Sequence, residues 1–202
     1  MAVAATTELE SINIMLAAIG EAPVNSLTGT LPNDVKIAQS TLTEVNKEVQ
    51  SEGWSFNTEI DVTLTRDGSD HINLANNILR VDPSIHHHPT IDAIQRGSKL
   101  YDRLNNEYEF DDDLVCTVVY YRDFDELPEP ARRYMTIKAA RIFVDRLVGD
   151  EGLRTYTQQD EIRARAILME TDYANADHNL LRGDPSLTSV FDTYNPSSAL
   201  IR

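Results

Sequence analysis

Residues 114–121 read LVCTVVYY, an apolar run rich in valine and tyrosine. Eight consecutive residues of these types are typical of a buried β-strand, and this is the strongest strand candidate in the chain. The only cysteine, Cys116, lies inside the run, so a disulfide framework and a CxxC metal knuckle are both excluded. Within a strand, Cys116 is predicted to be a small core hydrophobe rather than a nucleophile.

Shorter strand candidates precede this run. Ile60, Val62 and Leu64 alternate with polar residues, the pattern of a half-buried strand. Apolar segments follow near residues 78–81, 91–94 and 98–101, with turn dipeptides at 67–68, 82–83 and 96–97. This spacing predicts a small antiparallel sheet of four or five strands.

Helical patterns lie on the N-terminal side of the sheet. A first helix is predicted over residues 7–19, where the spacing of Thr7 and Glu10 predicts a capping box. A second is predicted from Asn33, a good N-cap, to Glu52, with Gly53 as its terminator. Its predicted buried stripe is Val35, Ala38, Leu42, Val45 and Val49.

Helical patterns return on the C-terminal side. One helix is predicted from the prolines at 128 and 130 to Gly149, with a stripe of Met135, Ala139, Ile142, Phe143 and Leu147. A longer one is predicted over residues 153–177. Its apolar face is Ile162, Ala166, Met169 and Tyr173. The Gly-, Pro- and Ser-containing end of the chain is typical of an extended arm.

The predicted fold class is therefore α+β, mainly α. Two helical hairpins form a four-helix bundle, with an inserted small antiparallel β region and an extended C-terminal arm. The predicted boundaries are 1–57 for the first hairpin, 58–126 for the β region, 127–181 for the second hairpin and 182–202 for the arm.

Composition is that of an ordinary globular protein, with 41% apolar and 25% charged residues in 202. The N-terminus lacks the basic residues of a secretory signal, and no apolar run is long enough for a membrane span. We therefore expect a soluble protein that is made in the cytoplasm.

Charge is distributed unevenly around a formal total of −15. Residues 107–129 hold nine acids against Arg122 alone, whereas residues 130–149 hold five bases against Asp145. These two patches predict contacts between subunits of a ring, or else they neutralise each other within one chain. The candidate contact residues are Arg132, Arg133, Lys138 and Arg141 on the basic side and Asp123, Asp125 and Glu126 on the acidic side. The overall balance argues against tight DNA binding.

No motif predicts a catalytic, cofactor or metal site, and we expect a protein that is not an enzyme. His86, His87 and His88 are consecutive, so in an extended segment they cannot all converge on one ion. Two alternatives remain open. One is a carboxylate-dependent polysaccharide hydrolase that uses acids of 107–129, and the other is an acidic DNA mimic.

Six segments together resemble one protein family. They are AIGEAPV at 18–24, QSEGWSFN at 50–57, LYDR at 100–103, RDFDELP at 122–128, KAAR at 138–141 and ETDYAN at 170–175. In this order they resemble tail tubular protein A, the head-to-tail adaptor or gatekeeper of short-tailed phages (podoviruses). The segments span nearly the whole chain, and the likeness to the family is weakest around residues 72–90.

The resemblance implies a structural virion protein that forms a homo-oligomeric ring of about twelve copies. Its partners would be the portal protein above, the nozzle (tail tubular protein B) below, a tail fibre at the side and the genomic DNA that passes during ejection. The arm would reach a neighbouring protein, and we expect it to dock on the portal through Phe191, Tyr194, Leu200 and Ile201. The resemblance also keeps the hydrolase alternative open.

Overall fold

The computed structural model describes residues 5–147 and 158–175 of the chain. They form an α+β fold of four helices and five short strands, in the predicted order of helices, strands, helices. The helices are α1 (Glu8–Ala18), α2 (Asn33–Ser51), α3 (Glu129–Leu147) and α4 (Gln158–Asn175). The strands are β1 (Thr58–Leu64), β2 (Ile78–Pro83), β3 (Ala93–Arg96), β4 (Lys99–Asp102) and β5 (Leu114–Tyr120). None of these four helices is long and apolar enough to cross a membrane.

Helices α1 and α2 form where local signals predict them. The Thr7 hydroxyl accepts the N–H of Glu10 at 3.2 Å, and the Glu10 carboxylate accepts the N–H of Thr7 at 2.8 Å, which completes the capping box. The predicted stripe of α2 is buried. The predicted N-cap of α2 was wrong, because Asn33 is already helical and Pro32 holds the cap position. Proline has a fixed φ, which leads the chain into the helix without a side-chain cap.

Helix α3 lies at the centre of the helical part. It contacts α1, α2 and α4. Its buried apolar residues are Ala131, Tyr134, Met135, Ile137, Ala139, Ala140, Phe143 and Val144. They point in several directions around the helix, because a neighbouring helix covers more than one face. Of the predicted stripe, Leu147 differs and is 39% exposed, at the end of the helix.

Helix α4 contacts the rest of the chain along a narrow line. Its buried residues are Ala164 and Leu168, one turn apart on the side that meets α3. Polar contacts flank this line: Arg165 pairs with Glu52 at 2.6 Å, and Asp172 accepts the N–H of Ser55 at 2.8 Å.

The apolar face predicted for α4 was wrong. Ile162 is 61% exposed, Tyr173 is 60% exposed, and Ala166 and Met169 are exposed as well. The flanking polar contacts set the rotation of the helix, and they turn this face away from α3. Residues 153–157 and 176–177, also predicted as helix, lie outside the described residues.

The strands form two small antiparallel sheets where one had been predicted. One sheet has the order β1-β5-β2, with the apolar run at its centre, and the other is the β3-β4 hairpin. The hairpin separates because its β4 edge bonds to the segment at 72–74: Leu100 N–H donates to Ile72 O at 3.0 Å, and Leu74 N–H donates to Ser98 O at 2.8 Å.

A bulge interrupts β1. The register shifts between Glu59 and Val62, and Asp61 has φ +58°. Ile60, predicted to face the core, is therefore 58% exposed.

Two hydrophobic cores result, one between the helices and one between the strands. Two buried amides hold the chain where it passes from one to the other. Gln50 accepts the N–H of Arg122 and donates to the Arg122 carbonyl, each at 2.8 Å. Asn57 donates to the carbonyls of Gln50 and Tyr120, each at 2.9 Å. Both crossings of the chain are thus fixed by groups that are shielded from water.

The helices α1, α2 and α3 contact one another, and α4 packs against α3. A four-helix bundle made of two hairpins stays a prediction, because the link between α3 and α4 lies outside the described residues. The division of the chain at residues 57, 126 and 181 also stays a prediction.

Candidate interaction surfaces

Arg132, a predicted contact residue, lies inside the chain and is only 8% exposed. Its Nε donates to Leu127 O at 2.6 Å, its Nη1 donates to Thr6 O at 2.8 Å, and its Nη2 donates to Asp125 O. One guanidinium thus ties α3 to the N-terminal segment and to the short 3₁₀ turn at Phe124–Glu126.

Lys138 and Arg141 of α3 also form ion pairs within the chain. Lys138 is nearly buried, with Nζ 3.0 Å from Glu48 of α2. Arg141 lies 2.6 Å from Glu161 of α4 and 3.3 Å from Asp145. These residues therefore join α3 to its neighbouring helices.

Arg146, in the last turn of α3, makes two hydrogen bonds to Glu44 of α2, at 2.8 and 3.0 Å. The hydrogen bond and the charge of Arg146 lower the pKa of the Glu44 carboxyl below its usual value. Arg146 thus adds a second tie between α2 and α3, at the surface.

Three of the predicted contact residues keep an exposed charge. Arg133, Asp123 and Glu126 are exposed and make no ion pair with another described residue. Asp125 is exposed too, although it accepts the N–H of Glu8 at 3.0 Å. That any of the predicted residues contacts a neighbouring subunit stays a prediction.

An acidic cleft lies between α1, α2 and the 3₁₀ turn. It has a volume of about 250 Å³ and is lined in part by Glu8, Asp123, Asp125 and Tyr121. Burial, together with the charges of Asp125 and Asp123, raises the pKa of Glu8. The sequence did not point to Glu8, because the chain brings it to these acids from more than a hundred residues away.

A second surface is the exposed side of α4. Its apolar residues Ile162, Ala166, Met169 and Tyr173 recur at intervals of four, three and four. Beside it, a cleft of about 220 Å³ separates the C-terminal half of α4 from the turn after α2. The cleft is lined by Glu52, Gly53, Trp54, Arg165, Met169, Asp172 and Tyr173.

Comparison of the sequence with known proteins assigns the chain to a family. The sequence model of the tail tubular protein family matches residues 9–178, which is most of the chain. This chain belongs to the tail tubular protein family. It is 30% identical over 166 residues to tail tubular protein A of Klebsiella phage KP34, across 81% of this chain and 86% of that protein.

Membership in the tail tubular protein family confirms the resemblance seen in the sequence. The chain is a structural protein of a phage tail and a component of the virion. The match to a Klebsiella phage protein supports a podovirus-type tail. The family match covers α2, α3 and α4 completely and α1 except for Glu8, so it includes the exposed side of α4 but not Glu8 of the acidic cleft.

In this tail tubular protein the histidine triplet has a structural contact. His88 is half-buried, and its Nε2 accepts the N–H of Val115 at 2.9 Å, which ties the histidine loop to β5. His87 is exposed, with Nε2 3.9 Å from Asp61. Within residues 5–147 and 158–175, no three His, Cys, Asp or Glu side chains are placed to hold a metal ion.

Cys116 is fully buried in β5. Burial and the nearby Asp82 raise the pKa of its thiol to about 12. The thiol is therefore protonated at neutral pH, which suits a core residue and not a nucleophile.

The predicted portal-docking residues of the tail tubular protein, Phe191, Tyr194, Leu200 and Ile201, lie outside the described residues.

Proposed function

We propose that this protein forms a ring-shaped adaptor between the portal and the nozzle (tail tubular protein B), supports tail fibre attachment and lets the genome pass. Membership in the tail tubular protein family over most of the chain carries this proposal. The formal charge of −15 is consistent with it. A wall of the same sign as DNA repels it weakly, whereas a basic wall would hold the phosphates through counterion release.

The ring needs a contact that repeats from one copy to the next. In a cyclic ring such contacts are heterologous, so two different patches of each copy must be complementary. The exposed Arg133 of α3 and the exposed Asp123 and Glu126 before it meet this requirement, since these three charges have no ion pair within the described chain. We propose that they contribute to the contact between neighbouring copies, with Arg132, Lys138, Arg141 and Asp125 shaping the surface from beneath or beside them.

The test is assembly with the portal. Purified protein mixed with portal should give closed rings of about twelve copies under electron microscopy. Arg133→Glu should reduce the yield of rings. Lys47→Glu, which changes an exposed base on α2 that forms no ion pair with a described residue, should not. A chain that stays monomeric and unattached in the presence of portal would contradict the proposal.

The predicted arm can be tested separately. Deletion of residues 182–202 should abolish binding to the portal if Phe191, Tyr194, Leu200 and Ile201 dock there. The fold of residues 5–147 and 158–175 should remain, which far-ultraviolet circular dichroism would check. Portal binding at the full-length level after this deletion would rule out the arm as the docking element.

The acidic cleft favours one alternative function. A carboxyl with a raised pKa beside other carboxyl groups is the arrangement that glycoside hydrolases use. Incubation with host capsular polysaccharide would test it by the release of reducing ends. Activity that Glu8→Gln or Asp123→Asn abolishes would establish a hydrolase, whereas activity that survives both substitutions would come from a contaminant.

A further inference from the structure

The exposed side of α4 has the pattern of a coiled-coil seam. Ile162, Ala166, Met169 and Tyr173 follow the four-three spacing of alternating d and a positions over two heptads. At about 100° per residue they lie roughly 150° round the helix from Ala164 and Leu168. The seam and the contact with α3 are thus on nearly opposite sides of one helix. Within the described chain the seam is largely exposed, with Ile162 at 61% and Tyr173 at 60%.

Charged residues flank the seam on both sides. Arg163 and Glu170 occupy the two e positions, are exposed, and make no ion pair with a described residue. Arg165 and Asp172 occupy the two g positions and already bond to Glu52 and Ser55. The e positions therefore carry one base and one acid that are available to a partner helix.

We infer that α4 of one copy pairs antiparallel with α4 of a second copy of this chain. In that arrangement Ala166 of each copy faces Met169 of the other, and Ile162 faces Tyr173, so small residues meet large ones. Across the pair e positions face e positions, which places Arg163 opposite Glu170 twice. A parallel pair would instead stack Ala166 on Ala166 and Tyr173 on Tyr173, and would place Arg163 opposite Gln158.

This pairing goes beyond the adaptor function. An antiparallel pair is isologous and closes on itself, so it cannot repeat round a cyclic ring. It belongs to the free protein, and the lateral contacts of a ring must use other surfaces. Four seam residues from each copy form a small interface, so the dissociation constant should be micromolar rather than nanomolar.

Sedimentation equilibrium of the full-length chain, over roughly a hundred-fold range of concentration, measures the association. The wild type should pass from monomer to dimer. Met169→Glu places a charge within the seam and should weaken dimerisation by about 100-fold or more. Ile167→Glu is the matched control, because Ile167 is 50% exposed on the same helix but lies off the seam, and it should dimerise like the wild type.

A charge exchange tests the antiparallel register. Arg163→Glu turns two attractive pairs into two repulsive ones and should weaken the dimer by roughly ten-fold. Arg163→Glu combined with Glu170→Arg restores opposite charges across the pair and should restore the dimer. Rescue by the double variant requires α4 of a second copy as the partner, which a different protein or another segment of the same chain cannot mimic.

Three outcomes would overturn the inference. A wild type that is monomeric at all concentrations excludes the pair, as does a dimer that Met169→Glu leaves intact. If the wild type is monomeric and Met169→Glu melts several degrees below it, the chain's own residues cover the seam. Ring formation of Met169→Glu with the portal tests the α4 pairing and the adaptor function separately. Met169→Glu should still form rings, and a loss of rings would make the seam a ring contact.

Discussion

Helices α3 and α4 have almost the same length, 19 and 18 residues, and both mix apolar with charged side chains, yet the chain treats them differently. Helix α3 is covered on several sides, and most of its bases bond to other helices or to backbone carbonyls. Helix α4 packs against the chain along the line of Ala164 and Leu168 and leaves the four seam residues, and Ile167 beside them, at the surface. Helix α3 therefore organises this subunit, whereas α4 packs against the subunit with one side and presents the seam to a second copy with the other.

The largest effect that separates the two helices should come from their apolar residues. Phe143→Ala on α3 removes a fully buried ring and should lower the free energy of unfolding by about 3–5 kcal/mol. Ile162→Ala on α4 should change it by less than about 0.5 kcal/mol in the monomer. Urea unfolding followed by the fluorescence of Trp54, at a concentration below that of association, measures both. Equal losses for the two variants would remove the distinction between the helices.

Adjacent arginines of α3 give the next comparison. Arg132→Met leaves the carbonyls of Leu127, Thr6 and Asp125 without their donor and should cost about 3 kcal/mol. Arg133→Met removes an exposed charge and should cost less than about 0.5 kcal/mol. The same urea titration applies. A stable Arg132→Met variant would show that water satisfies these carbonyls.

Within α4, only substitutions of the residues that are buried against α3 should change the stability strongly. Leu168→Ala should cost about 2–3 kcal/mol, because Leu168 is 1% exposed against α3. Its neighbour Ile167 is half exposed, and Ile167→Ala should be close to neutral. If thermal melts show the two substitutions to be equivalent, α4 does not hold the rotation described here.

The smallest effect concerns the surface pair of Arg146 and Glu44. Because Arg146 lowers the pKa of Glu44, the pair stabilises the fold above the pH at which glutamate ordinarily titrates. This contribution is lost as the pH falls towards the lowered pKa. The wild type should therefore melt slightly above Arg146→Met at pH 7, and the difference should vanish in acid. Lys47→Met, which removes an exposed base that is unpaired within residues 5–147 and 158–175, should show no such dependence on pH.

Local signals predicted the parts of the fold that local chemistry decides. The capping box of Thr7 and Glu10, the stripe of α2 and the valine-rich β5 all depend on residues close in sequence. The rotation of α4 does not. Its exposed side carries more apolar residues than its buried side, where only Ala164 and Leu168 of the described helix are buried. The contacts that fix the rotation join Arg165 and Asp172 to residues 113 and 117 positions away.

The sequence predicted the charged contact surface only as a stretch of the chain and not residue by residue. The sequence placed strong opposite charges on either side of residue 130, and the structure places Arg132, Lys138 and Arg141 against partners in the same chain. The partners of Arg132 are mainly backbone carbonyls, which no pattern of side chains reveals. The exposed seam of α4 was visible as a heptad-like spacing, but its direction could not be read because either side of the helix could face the core.

The amide pair Gln50 and Asn57 has a mechanical consequence. The chain enters and leaves the strand region beside these two side chains. The segment that enters and the segment that leaves are both hydrogen-bonded to them. A pull on the strand region cannot be absorbed by bending at a soft joint, because bending would first expose several shielded hydrogen bonds. A force on the strand region therefore reaches the helices through these hydrogen bonds as well as through the two chain crossings, which stiffens the junction between the two cores.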